Sequence, residues 1–461
     1  MSSSTHHSPP SLDLTFGLEI QFDLAVLPAS FTDPHHGHGR LVYEPIRHPG
    51  AVGFQHPETD KWHADEDHEL FDDWSSVWAQ NARTHIAECL HEYGYNTHVP
   101  GYDEEGTKYH EPKLIEKFQH QAWTIADKEF HQSGFRHGYF LLPMEIQSPP
   151  MPFNEGSLLN VRRVLQVVSE RYMILCNTDA AIHVHIGNSG NPFPLRTLVN
   201  FALLAWTFER PLLQIHPPRF QNYQRNGSTF PPMINIASLV SRWAALKGHR
   251  TPIYGLETIA ACKNIDELVF LVKNGHDDRR LTYNLLGLSD ELRPETSEGD
   301  DPFKRTVEFR QHKSHFDPLE VTDWISVCAA FMRKAHSLST ESTFKHCRSL
   351  LNGPPDFCSL QYTLMFLGCD EEQVSYYITH RYPTDARPMA TLYDRPVAYG
   401  PIDTAEVYHY PAWSPRALSG GRENRPKLPP RNEDARRRDR PGPTYPEEDY
   451  GVRENYGVRD N

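Results

Sequence analysis

Hydrophobic and polar positions follow two periods along this chain. Strict alternation predicts a strand over residues 12–24. Leu14, Phe16, Leu18, Ile20, Phe22 and Leu24 share one face, and Asp13, Thr15, Gly17, Glu19, Gln21 and Asp23 share the other. The same period predicts strands over 140–147, 180–187 and 305–312. These pair Glu145 with Gln147 opposite Met144 and Ile146, and His183 with His185 opposite Ile182, Val184 and Ile186. The fourth sets Thr306, Glu308, Arg310 and His312 on one face, with Val307 and Phe309 on the other. A period near 3.6 predicts helices over 66–93, 157–176, from 194 to beyond 204, and 318–335, with Gly94 closing the first and Pro194 in the first turn of the third. Their apolar stripes, such as Val161, Val164, Leu165 and Val168, or Trp324, Ile325, Cys328 and Phe331, read as core.

Composition narrows the class. The chain has 461 residues, 38% hydrophobic and 11% aromatic, enough for a sizeable core and incompatible with disorder throughout. Mean hydropathy is −0.61 and the longest tight apolar run spans only 201–206, so no membrane helix is expected. The first ten residues carry neither a basic start nor an apolar stretch, and no secretory signal is expected. The seven cysteines form no C-x-x-C pair, which fits a reduced, cytoplasmic protein. A net charge of −14 argues against general nucleic-acid binding. Residues 1–11 read as loose and residues 12–395 as one folded domain. Residues 396–461, rich in Pro and Arg with Asp and Glu, read as a disordered tail. A histidine cluster, His35, His36 and His38, falls in a polar stretch and reads as a loop.

The polar faces admit two readings. One is an antiparallel sheet with a solvated face. The other is a cleft lined by carboxylates and imidazoles, whose mutual repulsion a divalent cation relieves; carboxylate oxygens suit Mg²⁺. His183 and His185, two apart on a strand, could chelate a transition metal with a third ligand, or could be hydrogen-bonded core residues. Glu308 and Arg310 offer a metal-binding carboxylate beside a guanidinium that clamps a phosphoryl group, or a surface ion pair worth under ~1 kcal/mol. Neither a G-x-S-x-G nucleophile motif nor a G-x-x-x-x-G-K-[ST] phosphate loop is present.

Four motifs occur in order: Thr15-Phe-Gly-Leu-Glu-Ile-Gln-Phe22, Met144-Glu-Ile-Gln-Ser-Pro149, Ala181-Ile-His-Val-His-Ile-Gly187 and Thr306-Val-Glu-Phe-Arg-Gln-His312. Together they resemble the amidoligase family common in fungal genomes, which is similar in fold to glutamine synthetase and glutamate–cysteine ligase. Trp123 with Asp127, Glu209 with His216-Pro-Pro-Arg219 and Asn222-Tyr223, and Tyr283-Asn284-Leu285 fit the intermediate segments, so the resemblance covers about residues 12–340.

The resemblance implies an α+β fold, an antiparallel β-sheet funnel with helices packed on its outer face. It also implies ATP-dependent joining of a small-molecule or peptide carboxylate to an amine, with ATP and Mg²⁺ as cofactors. Glu19, Gln21, Glu145, His183 and Glu308 become the metal-ligand candidates, divided between two neighbouring positions. Arg310, His183, Arg219 and Asn284 become the nucleotide contacts. Glu308, Arg310 and His185 become the catalytic group, with Arg310 on the γ-phosphoryl. One departure stands out: the family's first strand reads Glu-x-Glu, and here it is Glu19-Ile-Gln21. A neutral ligand weakens Mg²⁺ binding; Asp23, one pleat on, is a substitute candidate. Two alternatives follow: a catalytically impaired relative acting as a scaffold, and a metal-dependent hydrolase using His183 and His185.

Overall fold

The computed structural model describes residues 12–26, 68–102, 108–109, 121–127, 134–136, 139–176, 180–216, 252–272, 282–289, 305–354 and 358–381. The strands are β1 (Thr15–Val26), β2 (Thr97–His98), β3 (Gly101–Tyr102), β4 (Lys108–Tyr109), β5 (Trp123–Asp127), β6 (Gly134–Arg136), β7 (Tyr139–Gln147), β8 (Met151–Pro152), β9 (Ile174–Leu175), β10 (Ala181–Gly187), β11 (Tyr283–Asn284) and β12 (Val307–Lys313). The helices are α1 (His68–Glu92), α2 (Glu155–Arg171), α3 (Leu195–Leu213), α4 (Pro252–Ala260), α5 (Ile265–Val272), α6 (Pro318–Ser337), α7 (Thr340–Asn352), α8 (Leu360–Leu367) and α9 (Glu371–Thr379).

Among the described residues, ten strands form one mostly antiparallel sheet, with the order β11-β12-β10-β1-β7-β5-β2; β6 joins β7, and β8 and β9 join β1. Among the described strands only β2 and β5 run parallel. The first strand, twelve residues long, lies at the centre of that order. Its apolar residues Phe16, Leu18, Ile20, Phe22 and Leu24 are buried in one core with Ile146, Ile182, Val184 and Phe309 of the neighbouring strands and with residues of α1, α2, α3 and α6. Each such Leu or Phe contributes about 1.5–3 kcal/mol by leaving water. On its own edge β10 pairs β1 only as far as Ile20. The short strand β9 takes over that edge, with Asp23 opposite Leu175 and Leu24 opposite Ile174. Pro143 lies inside β7 without breaking the sheet, because β5 pairing ends at Met144 and β6 pairing begins at Leu141.

Several expectations need correction. The helix expected over 157–176 is α2, which starts at the Asn154 cap and ends at Arg171; Tyr172 is extended, and Leu175 belongs to β9 instead. Backbone pairing to the open edge of β1 outweighs the continuing apolar period. Pro194 sits at the N-cap of α3 rather than inside its first turn. Glu209 lies within that helix. His312 does not share the face of Glu308. The register between β10 and β12 slips between Ile182 and Val184, and this bulge turns His312 to the helix side. There its ring lies 5.0 Å from Trp324 and 5.5 Å from His216. Gly94, by contrast, follows α1 with a φ of +88°, as the sequence predicts. Residues 1–11, the His35–His38 cluster and 396–461 lie outside the described residues.

A second polar cluster is built around this bulge. Glu320 of α6 accepts from Tyr376 at 2.6 Å and faces His315 at 2.9 Å and Lys313 at 3.6 Å. His315 accepts the Asp317 N–H on its Nδ1, so its proton lies on the nitrogen facing Glu320. Burial raises the Glu320 carboxyl, but His315 and Lys313 outweigh that and hold it well below the ordinary range. Burial pushes His312 down to about 4 despite Glu320.

Two outcomes follow from this packing. A Cβ at Gly255 in α4 would overlap the Trp206 indole, so Gly255→Ala should lower stability by about 1–3 kcal/mol, read from the urea midpoint. The unfolded chain takes up the His312 proton near 6.5 and the native chain only near 4. Stability should therefore fall as pH drops from 6.5 to 4, by up to about 3 kcal/mol from this residue. In His312→Phe that part of the slope should disappear when unfolding is measured at both pH values.

Candidate active site

The polar faces of the central strands meet in one row. Register places Glu19 of β1 between His183 of β10 and Gln147 of β7. It places His185 opposite Glu308 of β12, and Asn284 of β11 opposite Glu308 on the far side. Because side chains alternate, a row of opposed residues across five strands presents its functional groups on one face.

Glu19 joins the two histidines. His183 Nδ1 donates to its Oε2 at 3.0 Å, and His185 Nε2 donates to its Oε1 at 3.1 Å. A carboxylate only accepts, so each facing ring nitrogen carries the proton. His185 Nδ1 then accepts from the Thr306 hydroxyl at 3.1 Å. Both histidines also lie 3.7 Å from Glu308 Oε1. Glu308 is buried and held from two sides: Arg310 Nη1 donates to Oε1, and Asn284 Nδ2 donates to Oε2 at 2.8 Å. Asn284 is oriented in turn, because its Oδ1 accepts the Leu286 N–H at 3.0 Å. Burial alone would raise the Glu308 carboxyl; Arg310, with His185 and His183, outweighs it and holds the group down at about 2, against the repulsion of Glu19. Arg310 keeps a second donor: its buried Nε has no partner among the described residues.

Glu19, His183 and Glu308 each bring one ligand atom within 4.8 Å of the others. One nitrogen and two carboxylate oxygens at that spacing fit a divalent cation. Gln21 and Glu145, expected beside them as ligands, are instead joined to each other. Gln21 Nε2 donates to Glu145 Oε2 at 3.0 Å, and Gln147 Nε2 donates to Glu145 Oε1 at 2.5 Å. Asp23 is buried one pleat beyond, opposite Pro143 and Leu175. Arg219 and the Asn222-Tyr223 segment lie outside the described residues. Thr306, which sequence reasoning assigned no role, and Gln147, a candidate there for making up the neutral Gln21, supply hydrogen bonds to His185 and Glu145; the face that Thr306 shares with Glu308 was the available signal.

A mostly antiparallel sheet, flanked by helices, thus carries a buried carboxylate–imidazole–guanidinium row. The sequence pattern of a family described as "Putative amidoligase enzyme" matches residues 78–243. The match spans Glu145, His183, His185 and Arg219 and stops short of Glu19, Asn284, Glu308 and Arg310. That stretch of the chain is similar to the family. No curated protein and no solved structure matches the chain. No helix among the described residues is long and apolar enough to cross a membrane.

The Glu308–Arg310 pair gives a test. Arg310→Met leaves a buried carboxylate without its main counter-charge. It should lower the stability of the metal-free protein by about 3 kcal/mol, measured as a shift in the urea midpoint at pH 7.

Proposed function

We propose that this chain is a cytoplasmic ATP-dependent carboxylate–amine ligase with a glutamine synthetase-like architecture. A carboxylate is a poor acylating group at neutral pH. Transfer of the γ-phosphoryl of ATP makes it an acyl phosphate, which an amine then attacks with release of phosphate. Both steps place negative charge on oxygens, so the protein must supply cationic and hydrogen-bonding groups more than a nucleophile of its own.

The observation that carries this reading is Arg310. It is anchored on Glu308 through Nη1 and has a buried Nε–H without a partner among the described residues, beside a set of atoms that fits a divalent cation. Such a guanidinium suits a transferring phosphoryl group. Glu19, His183 and Glu308 would hold Mg²⁺, which when bound neutralises phosphate charge and orients the phosphate oxygens. Glu308 fixes the Arg310 fork, and Asn284 fixes Glu308. His185, protonated on the nitrogen facing Glu19, keeps that carboxylate aimed at the cluster. Arg219 remains a candidate contact to the nucleotide, and residues 396–461 a tail outside the catalytic domain. The amidoligase match supports the same class of reaction. The hydrolase alternative draws on the same two histidines; Arg310 favours phosphoryl chemistry over it.

The test is calorimetric titration of the full chain with ATP, with and without Mg²⁺, followed by ADP release in the presence of pooled carboxylates and amines. Mg²⁺-dependent binding is expected. Arg310→Ala should lower ADP release about 10²–10³-fold, with a smaller effect on nucleotide binding. Nucleotide binding that is absent under every metal, or ADP release unchanged in Arg310→Ala, would overturn the assignment.

A further inference from the structure

We infer that this chain holds a single divalent cation, at Glu19, His183 and Glu308, and that Gln21 and Gln147 replace the second cation position with a pinned amide–carboxylate–amide triad around Glu145. The inference rests on the metal assignment of the proposed ligase site and sets its stoichiometry. The orientation of Gln21 decides the matter. Its Oε1, the one atom through which a glutamine ligates a cation, accepts the Ala181 backbone N–H at 3.2 Å. Its Nε2 is thereby left facing Glu145 Oε2 at 3.0 Å. Rotating the amide by half a turn would set oxygen against oxygen and N–H against N–H, so both ends enforce one orientation.

Gln147 closes the other side, donating to Glu145 Oε1 at 2.5 Å. With the Gln21 oxygen turned to Ala181, Gln21 and Glu145 offer a cation one ligand side chain where a pair of carboxylates would offer two. Strand register makes this unavoidable: Gln21 lies directly opposite Glu145, and Gln147 lies two residues on along the same face of β7.

Neither Glu145 nor Asp23 belongs to the set of mutually close ligand atoms found among the described residues, which is Glu19, His183 and Glu308.

Mn²⁺ titration of the full chain without nucleotide, counted from the free-ion paramagnetic resonance signal, tests this. One site per chain is expected, with affinity at least tenfold lower in Glu308→Ala. That variant also subtracts any weak binding by histidines elsewhere. Gln21→Glu, which restores a charged pair with Glu145, should raise the count to two. Two sites in the unaltered chain, none, or one that survives Glu308→Ala would overturn the inference. A count that stays at one in Gln21→Glu would overturn the role given to Gln21. The two readings separate cleanly: one Mn²⁺ without ADP release sinks the ligase reading alone, and two Mn²⁺ with ADP release sinks only the stoichiometry.

Discussion

The structure depends on the pleat of one strand. β1 is hydrogen-bonded on both edges, to β10 and β9 on one side and to β7 on the other. Its side-chain period ties two requirements together. Burial of Phe16, Leu18, Ile20 and Phe22 under the helices forces Glu19 and Gln21 onto the opposite face. A slip of one residue would drive Glu19 into the core and expose the apolar row, at a cost of many kcal/mol summed over the strand. The hydrophobic core therefore sets the position of the chemistry, and the polar row needs no separate device to align it.

Alignment alone would assemble a repulsive site. Glu19 and Glu308 both lie near His183 and His185, and Glu308 is almost fully buried. Three kinds of partner make this tolerable. Arg310 supplies charge, Asn284 supplies a donor aimed by the backbone, and the two imidazoles supply N–H groups toward Glu19. Glu145 is treated differently, by neutral amides on both oxygens. Glu19 and Glu145 on one face thus have unlike partners: imidazole N–H groups, which can give up a proton to admit a cation, and amide N–H groups, which cannot.

Much of this was legible in the sequence. The four alternating segments became strands in the central part of the sheet, and Glu19, His183, His185, Glu308 and Arg310 were each placed on the polar side by period two alone. Gly94 and the long amphipathic stretches around α1, α2, α3 and α6 were equally readable, because local propensity and burial agree there. The failures share a cause. His312 left the expected face at a bulge, Leu175 left a helical period for a strand edge, and Gln21 and Glu145 paired with each other. In each case the deciding partner is remote in sequence.

The sequence by itself determined which residues face together, because a strand's side-chain period is a property of the local backbone. It determined the chemical inventory of that face and the family it resembles. Tertiary structure alone decided which strands are neighbours, and so which carboxylate meets the histidines and which meets the amides. It also decided which atom of each amide points inward. Those outcomes depend on hydrogen-bond partners brought together from over a hundred residues apart, such as Ala181 for Gln21, and no local pattern encodes them.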